Sequence, residues 1–152
     1  MTTTRIEHDS MGELAVPADA LYTAQTQRAI NNFPVSGTPM PVAFISALIL
    51  AKSAAATANT QLGLIDKAMG DAIVNAAESL LEDPNYIRHF PVDVYQTGSG
   101  TSSNMNANEV LSTLASKASG LTINPNDHIN YGQSSNDIIP STIHISAAIE
   151  MH

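Results

Sequence analysis

The chain has 152 residues, no cysteine, and 14 acidic against 6 basic side chains, for a net charge of −8. The missing cysteine excludes disulfides, thiolate metal sites and a cysteine nucleophile. The negative field, without clustered Lys or Arg, argues against nucleic acid or anionic membrane as a partner.

The length fits one domain, or one domain and the start of a second, and a compact chain of this size buries roughly 70% of its extended surface without staples. The opening MTTTRIEHDS has no apolar core and is not a secretory signal. The longest apolar stretch, Ala43 to Ala51, is interrupted by Ser46 and is too short to span a bilayer, so a soluble protein is expected.

Residues 1–41 hold four of the eight prolines and no sustained helical period, which predicts an extended arm with a helical turn around Ala24–Asn31. From Val42 the pattern changes. Phe44, Ala47, Leu48, Ala51, Ala55, Ala58 and Leu62 line one face of a helix over 42–62, started by Pro41 and stopped by Gly63. Asp66 is placed to cap a second helix over 66–82, with Met69, Ile73, Ala76, Ala77 and Leu80 inward and Pro84 as its stop. Residues 84–102 read as loop, extended at Asp93–Tyr95. A third helix over 102–119 turns Ala107, Val110, Leu111, Leu114 and Ala118 inward and ends at Gly120. After a polar loop over 120–137, a fourth helix starts near Asn136 with Pro140 in its first turn, and it is still running at His152 without a C-cap glycine. That ending, with Ile143, Ala147 and Met151 unmatched, leads us to expect a fragment of a longer protein.

Two loops carry the chemistry. In Thr97-Gly98-Ser99-Gly100-Thr101-Ser102-Ser103 two glycines allow close backbone approach, and the segment runs into a helix start, where free N–H groups favour an anion. A Ser/Thr turn that merely caps the third helix accounts for the same residues. Gln133-Ser134-Ser135-Asn136-Asp137 repeats the design before the fourth helix, and turn chemistry again accounts for it. The duplication favours a shared ligand. The histidines (His8, His89, His128, His144, His152) are scattered without metal-ligand spacing, so no metal is expected. His128 reads as a structural hydrogen-bonding residue, Glu109 as a carboxylate pairing with loop backbone, and Arg5, Glu7 and Asp9 as an ion-pairing arm.

The ten-residue string from Thr97 to Asn106 and the string Gln133 to Asp137 resemble class II fumarate hydratases of the fumarase/aspartase superfamily. The likeness extends through Arg5, Glu7, Asp9, Gly12, Val16 and Pro17, residues 24–29, Asn32-Phe33-Pro34, and Phe90 to Gln96. It implies a mostly α fold: an amino-terminal lyase domain over 1–135 with an extended arm, and the start of a central long-helix bundle over 136–152. It also implies reversible hydration of fumarate to L-malate without metal or organic cofactor, in a cytoplasmic or mitochondrial homotetramer whose active sites draw on three subunits. By motif match Ser99, Gly100 and Thr101, with Ser134, Ser135 and Asn136, are substrate-binding positions, and the two loops are expected to meet across neighbouring chains. The family's peripheral anion site maps to Asn124, Pro125, Asn126 and Asp127. Its histidine is replaced there by Asn124, and Leu121 stands where many fumarases have arginine, two departures that speak against anion binding.

No catalytic residue is expected within this chain. The family's Thr-His pair, and its Gly-Ser-Ser loop with the base serine, lysine and asparagine, have no counterpart here, so the isolated chain should be inactive. Aspartate ammonia-lyase is the nearest alternative, supported by the Asn-Pro-Asn-Asp spelling and opposed by Ser99 and Ser135. A non-catalytic helical interaction module is the third reading.

Overall fold

The computed structural model describes residues 3–151; His152 and the first two residues of the arm lie outside it. The element order is β1 (Thr4–Asp9), β2 (Gly12–Pro17), α1 (Ala24–Asn32), α2 (Val42–Gln61), α3 (Lys67–Glu82), α4 (Thr101–Ser119) and α5 (Ser135–Glu150). The protein is mostly α, as the sequence implies.

The arm is not simply extended. β1 and β2 pair antiparallel in register from Thr4↔Pro17 to Asp9↔Gly12, around a turn that Gly12 closes at φ +111. The Arg5 guanidinium donates to the carbonyls of Pro17, Ala20 and Tyr22 at 2.8 Å each and to Glu7 Oε1 at 2.6 Å. Asp9 takes two hydrogen bonds from Arg28 of α1 at 2.7 and 2.8 Å, and that guanidinium holds its carboxyl below the usual range. The expected ion-pairing arm is therefore present, folded into a hairpin and pinned to α1.

α2 runs through the core between α3 and α5. Its buried residues are Phe44, Ile45, Ala47, Leu48, Ile49, Lys52 and Ala56. The sequence period placed Ala58 and Leu62 inward as well, but both are exposed, because the burying neighbours cover mainly the first half of the helix. By length and composition alone this 20-residue helix, with a mean hydropathy of 1.5 over its best 18-residue window, is sufficient to cross a bilayer. It reads instead as a core helix, since it packs on its neighbours and buries Lys52 near its centre. Its close approach to α3 depends on Gly70, where any Cβ would collide with Thr60.

α3 buries Gly70, Ile73, Ala76, Ala77 and Leu80; Met69 is half-buried, and the Asp66 side chain forms no cap hydrogen bond. A 3-10 turn at Tyr86–His89 and a bridge between Pro39 and Asp93 break the loop that follows. Asp93 gathers Ser36 and Gly37 N–H at 2.7 Å each and Tyr95 N–H at 2.8 Å, and these donors hold its carboxyl down to about 2.

α4 is the central helix, packed against α1, α3 and α5. Ala107, Val110 and Leu111 are buried as expected, with Ala115 in place of the expected Ala118, which is exposed. α5 carries Pro140 in its second turn rather than its first, inside the helix. Ile143 and Ile149 on α5 and Met151 just after it are 52%, 49% and 84% exposed.

Candidate functional site

The first loop ends in a helix start built by its own side chains. Gln96 Oε1 accepts from Ser103 N–H at 2.9 Å and its Nε2 donates to Ser103 Oγ at 2.8 Å. Thr97 Oγ1 accepts from Ser102 N–H at 3.3 Å. Capping is thus done by Gln96 and Thr97. That leaves Ser99 and Thr101, whose hydroxyls meet each other at 2.8 Å on the exposed side of the loop. Gly100 sits between them at φ +68, with the position of its absent Cβ only 3.0 Å from Ile139 Cγ2 of α5. No other residue combines that backbone conformation with that clearance.

The second loop starts α5. Ser134 caps it by accepting Asn136 N–H at 3.3 Å, and Ser135 Oγ accepts from Asn104 Nδ2 of α4 at 3.1 Å. Asn136 is exposed. The Gly100–Ile139 and Asn104–Ser135 contacts set the starts of α4 and α5 side by side within one chain. Within the single chain, α4 and α5 are adjacent helices of the same core, so the two loops are neighbours before any second chain is added. Among the described residues, the Thr101 and Ser135 N–H groups have no acceptor in the chain. The pair of helix starts therefore offers backbone donors, two dipole ends and neutral hydroxyls to an anion.

A third component escaped the sequence reading. Lys52 is fully buried beneath the second loop, and its ammonium donates to Asn130 Oδ1 at 3.0 Å and Gln133 Oε1 at 2.7 Å. Burial pulls its pKa down to about 7. The signal was available: Ile45, Leu48, Ile49, Lys52 and Ala56 form one stripe at helical spacing, and a lysine on a core stripe needs partners.

Asn124 Oδ1 accepts from Asn126 and Asp127 N–H at 2.8 and 3.0 Å, closing a π-turn over Pro125–Ile129. His128 Nδ1 accepts from Asn124 N–H at 2.8 Å, the structural role expected of it. The loop that would form the peripheral anion site thus spends the Asn124, Asn126 and Asp127 N–H donors, which an anion would need, on its own side chains. Glu109 accepts from the N–H groups of Thr23, Gln25 and Thr26 at 2.9 to 3.1 Å, as a structural carboxylate should. No metal-holding cluster of His, Asp or Glu occurs among the described residues. A cavity of about 580 Å³ lies between the end of α2 and the start of α3 and includes none of the loop residues. A smaller one of about 330 Å³ reaches Thr97 and Ser102 from the side of Asp9, Gln25 and Arg28.

Comparison with known proteins agrees with this geometry. The profile of a lyase family matches residues 12–152. The chain is similar to class II fumarate hydratase 2 of Pseudomonas aeruginosa, 69% identical over 99% of this chain and 33% of that protein. It is also similar to the class II fumarate hydratase of Xylella fastidiosa, 60% identical over 95% of this chain and 30% of that protein. The crystal structure of a class II fumarase from Schistosoma mansoni superposes with a TM-score of 0.93 at 41% identity, covering 98% of this chain and 33% of that one. The chain spans about a third of the length of the relatives it matches.

Proposed function

From the premise that the chain belongs to the lyase family and matches class II fumarate hydratases along a third of their length, we propose that it is the amino-terminal part of a fumarate hydratase. In this reading it supplies the loops that hold a carboxylate of fumarate or L-malate. The supporting observation is the adjoining starts of α4 and α5, where Gly100 and Ile139 pack against each other.

Dehydration of L-malate begins with removal of a proton beside a carboxylate, which pushes charge onto the carboxylate oxygens. Donors already aimed at those oxygens bind the charged transition state more tightly than the substrate. Ser99, Gly100 and Thr101 fill that role on one loop, and Ser134, Ser135 and Asn136 on the other. Their hydroxyls and backbone N–H groups orient and bind without titrating. The base and the remaining cations belong to other parts of the assembled enzyme, a homotetramer of cytoplasmic location in this proposal. No metal or organic cofactor takes part. The domain division falls at residues 135 and 136, with α5 opening the helical-bundle unit. The Asn124–Asp127 turn binds no anion.

The test is a chimera carrying this chain in place of the corresponding third of the Pseudomonas aeruginosa relative. Loss of fumarate absorbance should report hydration, and Thr101→Val or Asn136→Ala should lower kcat by about 10²-fold. A chimera that releases ammonia from L-aspartate but leaves L-malate untouched would replace this reading with the ammonia-lyase one, which the Asn124-Pro125-Asn126-Asp127 spelling favours. The purified chain alone should show no hydration in the same assay, because neither loop contains Lys or Arg and no base is in place.

A further inference from the structure

An ammonium without water must be satisfied by the protein around it. Lys52 is 0% exposed, and the two oxygens that face it are held there from behind. Asn130 Nδ2 donates to the Gln133 carbonyl at 3.1 Å, and Gln133 Nε2 donates to the Ile129 carbonyl at 2.9 Å. Neither amide can turn over without losing a bond at its other end. Both therefore present oxygen, not nitrogen, to the lysine. The network continues to the start of α5, since Asn104 Nδ2 donates to the same Asn130 oxygen and to Ser135 Oγ, each at 3.1 Å. None of the ion pairs among the described residues includes Lys52.

A buried cation without a counter-ion costs stability that hydrogen bonds to two amide oxygens offset only in part. We propose that Lys52 is a positioning residue for the second loop, holding Asn130 and Gln133 in place beneath Ser134–Asn136 and, when protonated, setting a positive charge behind those donors. The proposal rests on the reading of that loop as a carboxylate site. The charge lies three hydrogen bonds of 3.0, 3.1 and 3.1 Å from Ser135 Oγ, by way of Asn130 and Asn104. A loop lacking Lys and Arg of its own thereby gains a cation from the helix below, where solvent screening is weak.

The experiment uses the whole chain, labelled with ¹⁵N. Amide exchange is measured in the wild type and in Lys52→Met, which keeps an unbranched apolar stem but removes the ammonium donors. Gln133 and Ile138 N–H, bonded to Asn130 and Ser134 carbonyls at 3.0 and 2.9 Å, should exchange about tenfold faster in the variant, while Ile73 and Val110 in the core keep their rates. Unchanged rates at Gln133 and Ile138, or an equal acceleration everywhere, would overturn the positioning role.

A second variant, Gln133→Glu, sets a carboxylate against the ammonium and neutralises it in place. It decides the matter should Lys52→Met fail to fold. With L-malate as substrate of the chimera at about pH 6, where Lys52 is charged, KM should be about tenfold higher in Gln133→Glu than in the parent chimera. An equal KM would overturn the electrostatic part. A parent chimera that turns over no L-malate would instead defeat the carboxylate reading of the loop, and the exchange rates would still judge Lys52.

Discussion

Glu109 carries more of the fold than its place in the middle of α4 suggests. Its two oxygens accept the N–H groups of Thr23, Gln25 and Thr26, the donors at the start of α1, where Thr23 makes no side-chain cap. Glu109→Ala would leave three donors unpaired in a buried setting, at an expected cost of about 3 kcal/mol in urea denaturation. Gly100→Ala combines an unfavourable φ with a Cβ pressed on Ile139, and should cost about 2 kcal/mol by the same measurement. Lys52 is expected to act in the opposite direction. Its folded pKa of about 7 lies below the ordinary 10.5, so the unfolded chain holds the extra proton between those values. Stability should therefore rise as pH climbs from about 7 towards 10.5, with the full burden of the buried charge present below about 7. Thermal melts across that window should show this rise in the wild type and a flatter profile in Lys52→Met. A residue that weakens the fold at neutral pH yet sits under a candidate site is the pattern expected where function opposes stability.

At the scale of elements, the helices were legible because their punctuation is strong. Pro41 and Gly63 bound α2, Asp66 and Pro84 bracket α3, and Gly120 ends α4 in the left-handed conformation. The hairpin was not legible. Its strands are six residues each, with only Val16 fully buried among them, so alternation between faces leaves almost no hydrophobic trace. What holds the hairpin is polar and distant in sequence, Arg5 on carbonyls 12 to 17 residues away and Arg28 on Asp9. Arg5→Ala should accordingly loosen the hairpin locally, with a global cost of only about 1 kcal/mol and faster proteolysis between residues 17 and 23. The candidate site was half legible. The Gly-Ser-Gly-Thr and Ser-Ser-Asn strings announce themselves, but the division of labour within them does not. That Gln96 and Thr97 cap α4, leaving Ser99 and Thr101 unoccupied by capping, depends on how the turn closes. The partnership of Lys52 with Asn130 and Gln133 spans about 80 positions of chain, beyond the reach of any local pattern.

For the molecule as a whole, the unevenness of α5 matters most. Its start is sewn into the core through Ser135 and Ile139, while Ile143, Ile149 and Met151 face outward. Exposed apolar side chains of this size promote association. Sedimentation of the purified chain should show a concentration-dependent rise in mass, reduced by the double substitution Ile143→Glu and Ile149→Glu. Between the anchored start and the bare remainder stands Pro140, whose nitrogen has no hydrogen to offer the Asn136 carbonyl one turn back. The ladder of that helix thus lacks a rung just past the residues proposed to touch substrate. The exposed shaft beyond the gap can therefore bend without shifting the anchored opening turn, much as a mast sways above a fixed step.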